Sequence, residues 1–446
     1  MSTVTRIDNW SGGADNRNDR ARIIKTDGGS SFCEGVNIDV MACGRIISRS
    51  GFEKAVNLVT DGNTAVQIAG HKDHLMVLER QSAPTVCGKL IKQSLVNGLC
   101  SEISTVAHTV RMATCIHNDE MLISMSNGDA WRMKDGEVRQ WGVPMSYQKP
   151  LATRTSTGNL EPGIYKYSMT FVNSLGEESG AVIVSQITLD AAHNGILFSS
   201  FSTPIPEGCK ARLYVSPVNS SSMYLQREFT EYSDFQLMNV RANSLALDSK
   251  FMRSLPPAAD ILCSYKGVVL AARDNVVWVS QPMRIHLFDM ATGFFQFPVR
   301  VTNMIGVEAG VFITTTSRTY LLSNPETTET SLREIYDVGA VANSAIRFKE
   351  DKVAWLTEYG QAIGTNEGGL ELPHKDKYSP VVAQESAVAV IKNDGAEMIV
   401  TSMRQPLRRS TMTTSDYFDA DVVAAVKSTA SQTTVGMADE YEADTP

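Results

Sequence analysis

The chain reads as all-β: a roughly six-bladed β-propeller interrupted by one inserted β-sandwich of the fibronectin or immunoglobulin kind. Three observations predict this. Helical periodicity is scarce along the 446 residues. Six segments repeat one pattern, in which an apolar strand, a short polar or glycine turn and a second apolar strand follow one another. The spacing of those segments is regular except at one step, which is longer by about the size of a small sandwich domain.

The six segments are "AVQIAGHKDHLMVLERQ", "MATCIHNDEMLISMSNGDAWRM", "ADILCSYKGVVLAARDNVVWVSQP", "NMIGVEAGVFITTTSRTYLLS", "SAIRFKEDKVAWLTEYGQAIGTN" and "AVAVIKNDGAEMIVTSMRQP". Their central turns fall at Lys72, Asn118, Lys266, Ala309, Glu350 and Asp394, so the steps are roughly 46, 148, 43, 41 and 44 residues, against ~40–50 for a four-stranded blade. The long step exceeds one blade by roughly 104 residues, and "GIYKYSMTFVNSLGEESG" and "KARLYVSPVNSSSMYLQREF" within it alternate and turn as sandwich strands do. This divides the chain into amino-terminal closing strands and first blades (1–144), the inserted sandwich (145–250), the remaining blades (251–405) and a carboxy-terminal arm or disordered tail (406–446). The short runs around Gly44 are expected to complete the blade begun near 386, because a propeller joins its first and last blades to avoid open edges.

Composition narrows the function. The formal net charge of -8 makes the chain a poor candidate for gripping nucleic acid, although an acidic wall would keep a passing duplex from sticking. The apolar runs fall far short of the ~20 residues of a membrane-spanning helix, and the opening residues lack the apolar core of a secretory signal, so no membrane insertion and synthesis in the cytoplasm are expected. Seven scattered cysteines, without metal or redox spacing, read as reduced and mostly buried.

No catalytic, cofactor or metal residue is assigned. His71 and His74 in "HKDH" read as exposed imidazoles across a turn with no third ligand; His108, His117, His193, His286 and His374 stand apart. Glu177 and Glu178 are neighbours on an extended chain, whose side chains point to opposite sides, so they read as a solvated turn rather than a glycosidase pair. No phosphate-binding loop, nucleophile elbow, EF-hand loop or repeated aspartate box occurs. Gly128, Gly136 and Gly395 follow Asn or Asp, as tight hairpin turns require. Trp131, Trp141, Trp278 and Trp355 are expected to pack between blades. Arg17, Arg20 and Arg22 are balanced by Asp15, Asp19 and Asp27 and suit a subunit-contacting arm; together with Glu177 and Glu178 they are the candidate subunit contacts.

The opening "NWSGGADNRNDRARI", followed by "CEGVNIDVMACGRIISRSGFEKA" with Gly44, Arg45, Arg49 and Gly51, resembles the start of tail and connector-region proteins of double-stranded DNA phages. "GVVLAARDNVVWVSQP", "VTNMIGVEAGVFITTTSRTYLLS" and "VAWLTEYGQAIGTNEGG" are similar to the blade repeats of that family, and "YKYSMTFVNSLGEESG" to its inserted fibronectin-type module. The resemblance covers most of residues 7–405. It implies a non-enzymatic structural virion protein without cofactors, in a homo-oligomeric ring taken as a hexamer at the tail nozzle or head-to-tail hub. Its implied partners are other tail or connector proteins and genomic DNA passing without specific binding. The alternative is a tail module that binds a host receptor or glycan through the sandwich, which exposed aromatics on loops 190–222 would favour.

Overall fold

The computed structural model describes residues 9–15, 17, 29–32, 38–40, 45–48, 63–81, 87–348, 352–377, 383, 385–393 and 396–404. Among them every regular element is a strand, and the strands form many small, mainly antiparallel sheets. The chain divides into two compact units, Leu58–Gln296 and Met1–Asn57 with Phe297–Pro446.

In the first unit, Asn63–His71, His74–Gln81, Cys87–Ser94 and Cys100–Ala107 form a four-stranded meander, the first sheet. The second sheet holds Met112–His117, Glu120–Met125, Ala130–Lys134 and Glu137–Gln140. The third holds Ile261–Tyr265, Val268–Arg273, Val276–Gln281 and Arg284–Phe288, with Phe294–Gln296 also pairing with Val276–Gln281. These sheets share cores in series. Met76, Leu78, Leu90 and Val106 of the first pack with Met112, Met121, Ile123 and Met133 of the second. Ala113 and Leu122 of the second meet Leu262, Val269 and Phe288 of the third around Trp141, which is fully buried. The middle strands are therefore buried on both faces over most of their length, as Glu120–Met125 is throughout.

Between the second and third sheets lies a sandwich. Leu151–Thr155, Gly195–Ser199 and Phe235–Leu237 form one sheet; Ser185–Leu189, Gly163–Asn173, Cys209–Val215 and Tyr224–Phe229 form the other. Tyr167, Phe171, Phe198, Leu213 and Phe229 fill the core between them. Its two connections to the neighbouring sheets lie side by side: Val143 donates its N–H to the Ser254 carbonyl, Ser254 Oγ donates to the Val143 carbonyl, and Arg253 pairs with Phe288 of the third sheet. Phe251 and Ala181 exchange backbone contacts with the same neck, and a Cβ on Gly180 would stand 1.8 Å from the Met252 carbonyl oxygen.

In the second unit, Val301–Val307, Gly310–Thr315, Thr319–Ser323 and Ser331–Tyr336 form one meander, and Ile346–Phe348, Lys352–Thr357, Gly360–Thr365 and Leu370–Glu371 another. They too share a core, in which Phe312 and Trp355 lie 5.2 Å apart between ring centres. Glu385–Asn393 pairs with Ala396–Arg404, and Ile38–Val40 with Ile46–Ser48, as separate two-stranded sheets.

The expected turn at Lys72 joins Asn63–His71 to His74–Gln81, and those at Asn118, Lys266 and Ala309 likewise separate the first two strands of their sheets. Glu350 and Asp394 lie outside the described residues but between paired strands. Gly128 and Gly136 take φ of +101° and +82°, as expected; Gly395 lies outside the described residues. Trp141 and Trp355 are in cores shared by adjacent sheets, whereas Trp131 and Trp278 are half-buried at the margins of such cores. Of the cysteines, Cys263 is buried, Cys87, Cys115 and Cys209 are half-buried, and Cys100 is exposed, which corrects the expectation for that one; all five are free thiols, and Cys33 and Cys43 lie outside the described residues.

Candidate functional site: a buried ion network at the insert

A cluster of buried charged residues lies where the sandwich meets the second and third sheets. Glu120 opens the strand Glu120–Met125 beside Arg132, which sits buried in the middle of Ala130–Lys134. Arg132 Nε stands 3.0 Å from Glu120 Oε2, and its Nη1 reaches Glu177 Oε1 at 2.5 Å. Arg139 Nη2 and Lys134 Nζ complete the shell around Glu120 Oε1, at 3.3 and 3.6 Å. Glu177 belongs to the tight turn that follows Gly163–Asn173, and Asn173 donates to its other oxygen. An arginine inside a strand core is costly unless its charge is met by carboxylates and hydrogen bonds. Here two carboxylates meet it, one from its own sheet and one from the sandwich.

The adjoining residue faces the other way, as extended backbone requires. Glu178 Oε2 accepts from Arg212 Nη1 at 2.8 Å, and its Oε1 accepts from Tyr214 at 2.7 Å and from Thr170 Oγ1. Burial and the Glu178 carboxylate push the Tyr214 phenol well above its ordinary range, so it stays a donor. The third sheet closes the site through His286, whose Nε2–H donates to the Glu178 carbonyl at 3.1 Å while Nδ1 stands 4.0 Å from Glu177 Oε1. Burial holds His286 below the ordinary imidazole value despite the pull of Glu177. For Glu177, burial acts to raise the carboxyl, but Asn173, Arg132 and His286 together outweigh it and hold it below the ordinary glutamate value.

The solvated-turn reading of Glu177 and Glu178 is therefore corrected: their side chains are only 17% and 20% exposed and fully engaged within the chain. Arg17 lies over the Tyr359 ring at 5.5 Å and donates to the Lys375 carbonyl. Arg20 and Arg22 lie outside the described residues. The fold thus brings Glu177 and Glu178 into one site. Arg17 belongs to the other compact unit.

The expectation of exposed imidazoles at 71 and 74 is also corrected. Both rings are half-buried against the second sheet: His71 Nε2 lies 3.1 Å from the Asp119 carbonyl, and His74 packs on Gly136. Between them Lys72 bridges Asp119 and Asp135, at 2.5 and 2.9 Å. Among the described residues no group of three or more His, Cys, Asp or Glu is placed to hold a metal ion. Within loops 190–222, Phe198 and Tyr214 are buried and Phe201 stacks on Tyr232 at 4.7 Å, so the aromatics that would mark a receptor surface there are committed to packing. Sequence reasoning passed over Glu120, Arg132 and Arg212; the signal was a charge at a core-facing position of an apolar strand.

No family model matches the chain, and no curated protein matches it. Solved structures similar to parts of it include the computationally designed Ika8 protein (9% identity, 79% of this chain and 97% of that one, TM-score 0.23). Also similar are the extracellular domain of a putative one-component system from B. thetaiotaomicron (9%, 80% and 64%, TM-score 0.20) and BBS1N in complex with ARL6DN (10%, 79% and 92%, TM-score 0.28). With TM-scores this low, the all-β assignment rests on the strands and sheets of the chain itself.

Proposed function

We propose that the chain is a structural protein of a tailed-bacteriophage virion, whose copies form a ring in the tail, at the nozzle or head-to-tail hub, that lines or gates the DNA ejection channel. The observation that carries this reading is the serial repeat of four-stranded sheets with shared cores, headed by the opening pattern of residues 9–51 that resembles such tail proteins. In this reading six blades close into a propeller whose last blade includes the hairpin at 385–404. The sandwich, fibronectin-like in this reading, is a rigid projection for contacts between neighbours, because the ion network and the paired neck fix it to two sheets. The protein performs no chemistry and needs no cofactor; its mechanism is to hold a passage through which an anionic duplex slides past an acidic subunit.

Negative-stain electron microscopy of the purified chain, with mass determination in solution, tests the proposal. Closed rings with a central opening of about 20 Å or more, wide enough for a duplex about that broad, are the expected result. A strict monomer that binds host-cell envelopes overturns it in favour of receptor recognition.

A further inference from the structure

Asparagine is a thermolabile residue, most of all before glycine, which has no side chain to keep its nitrogen from reaching the asparagine amide. The sequence holds three such steps, Asn97–Gly98, Asn127–Gly128 and Asn194–Gly195, and the fold treats them differently. Asn194–Gly195 is locked: a Cβ on Gly195, which opens the strand Gly195–Ser199, would stand 2.1 Å from the Thr157 carbonyl oxygen, and the Asn194 side-chain oxygen is buried. Asn127 is exposed in the turn between Glu120–Met125 and Ala130–Lys134, but one residue grips both ends of its amide. Its Nδ2 donates to Asp129 Oδ2 at 2.7 Å, and its Oδ1 accepts from the Asp129 N–H at 3.2 Å. The Asp129 carboxylate also opposes the negative charge that the Gly128 nitrogen must develop before it can attack.

Asn97–Gly98 lacks these restraints. It lies at the tip of the hairpin between Cys87–Ser94 and Cys100–Ala107, where residues 95–100 are all exposed. Asn97 Oδ1 accepts from the Leu99 N–H at 3.0 Å, which folds the side chain back over the Gly98 peptide, and among the described residues no group holds its Nδ2. Gly98 has φ of +69°, and a Cβ on it would meet nothing within 4 Å. Its N–H donates to the Ser94 carbonyl at 3.0 Å, a single bond in an exposed turn that local opening releases. The hairpin's own residues 93–101 include no carboxylate.

We propose that Asn97 is a site of spontaneous deamidation, at which the hairpin tip converts its amide into a carboxylate without an enzyme. Hydroxide takes the Gly98 amide proton, and the nitrogen attacks Asn97 Cγ. The new N–Cγ bond closes a succinimide ring, while the Cγ–Nδ2 bond breaks and ammonia leaves with a proton from water. Water then opens the ring at Cγ, giving an aspartate at 97, or at the main-chain carbonyl, giving an isoaspartyl link. One water is consumed and one ammonia released, with no oxidant or reductant. The product sets a negative charge between Val96 and Leu99, exposed to 77% and 68%, so an uncharged apolar tip becomes acidic as the protein ages. This chemistry is independent of the assembly proposed above.

The test incubates the purified full chain in mildly alkaline buffer made with heavy-oxygen water, digests it, and maps the peptides by mass spectrometry with a fragmentation that separates isoaspartate from aspartate. Labelled aspartate and isoaspartate at 97 are expected, at a rate about tenfold or more above those at 127 and 194, because only the exposed turn opens freely. The same chain unfolded in urea should react at the three steps within about threefold of one another, since the fold no longer separates them. Asn97→Gln, whose longer arm closes the ring poorly, should lose the late-eluting acidic form on anion exchange, and Asn97→Asp should elute with that form from the start. Equal rates at the three steps of the folded chain, a faster reaction at 127 or 194, a reaction at 97 confined to urea, aspartate without isoaspartate, or an acidic form that persists in Asn97→Gln would each overturn the proposal.

Discussion

At the scale of single residues, stability is concentrated where charge is buried. Glu177→Gln leaves Arg132 facing the sandwich without its second carboxylate, and since breaking a buried pair from one side costs about 3 kcal/mol, a loss of that order is expected in urea denaturation. Replacing Arg132, Glu120 and Glu177 together by apolar residues recovers much of that loss, since well-packed apolar substitutes often match a buried ion pair. Gly180→Ala is a steric counterpart: a Cβ 1.8 Å from a backbone oxygen has no flexible partner to yield, so a loss near the upper end of about 1–3 kcal/mol is expected in the same assay. Legibility at this scale was uneven. Lys72 and Asn118 were found as turns because positive-φ turns leave a local mark, and both have positive φ. The partners of Glu177 were hidden because Arg132 lies 45 residues away and His286 lies 109 residues away, beyond any periodicity in one strand.

At the scale of elements, the network gives the insert a pH dependence with one sign. His286, at the junction, and His117, bonded through Nδ1 to Ser264, are both held below the ordinary imidazole value of 6.5, with burial the main cause. The unfolded chain then binds more protons than the folded one as pH falls from 6.5 toward the folded values, so stability is full above that range and drops with acidification. Glu177, held below the ordinary 4.5, adds a second loss as pH falls further. Melting temperature should therefore fall below pH 6.5 and fall again below 4.5. His286→Gln should flatten the first phase, because one titrating group contributes at most about 1.4 kcal/mol per pH unit; an unchanged slope would remove His286 from this account. The elements themselves were readable. Alternation and turn spacing located paired strands, because each meander is built from consecutive strands. The pairing of the two neck segments, around Val143 and Ser254, was not readable, since it joins residues 111 apart through bonds that any sequence supplies from its backbone.

At the scale of the whole molecule, charge decides the relation to DNA. A chain with net charge -8 has no excess of cations with which to release phosphate counterions. Duplex DNA should therefore show no retention in an electrophoretic shift assay at about 50 mM salt, where nonspecific binders hold most tightly. Retention that weakens steeply with added salt would contradict the proposed conduit role. Net charge is legible in composition because it is a sum and does not depend on where each residue lies. The repeat was legible for a similar reason, since steps near 44 residues survive without knowledge of any contact.

The attachment of the sandwich has a mechanical consequence. Its two chain ends run together through the neck and alone would make a hinge, about which the domain swings. The turn bearing Glu177 and Glu178 works as a latch beside that hinge, engaging Arg132 on one sheet and His286 on the next. While the latch holds, a push on the sandwich is delivered to both sheets as a torque instead of being lost in swinging. The sandwich is then a lever, and acid, by loosening the latch, turns it into a pendulum.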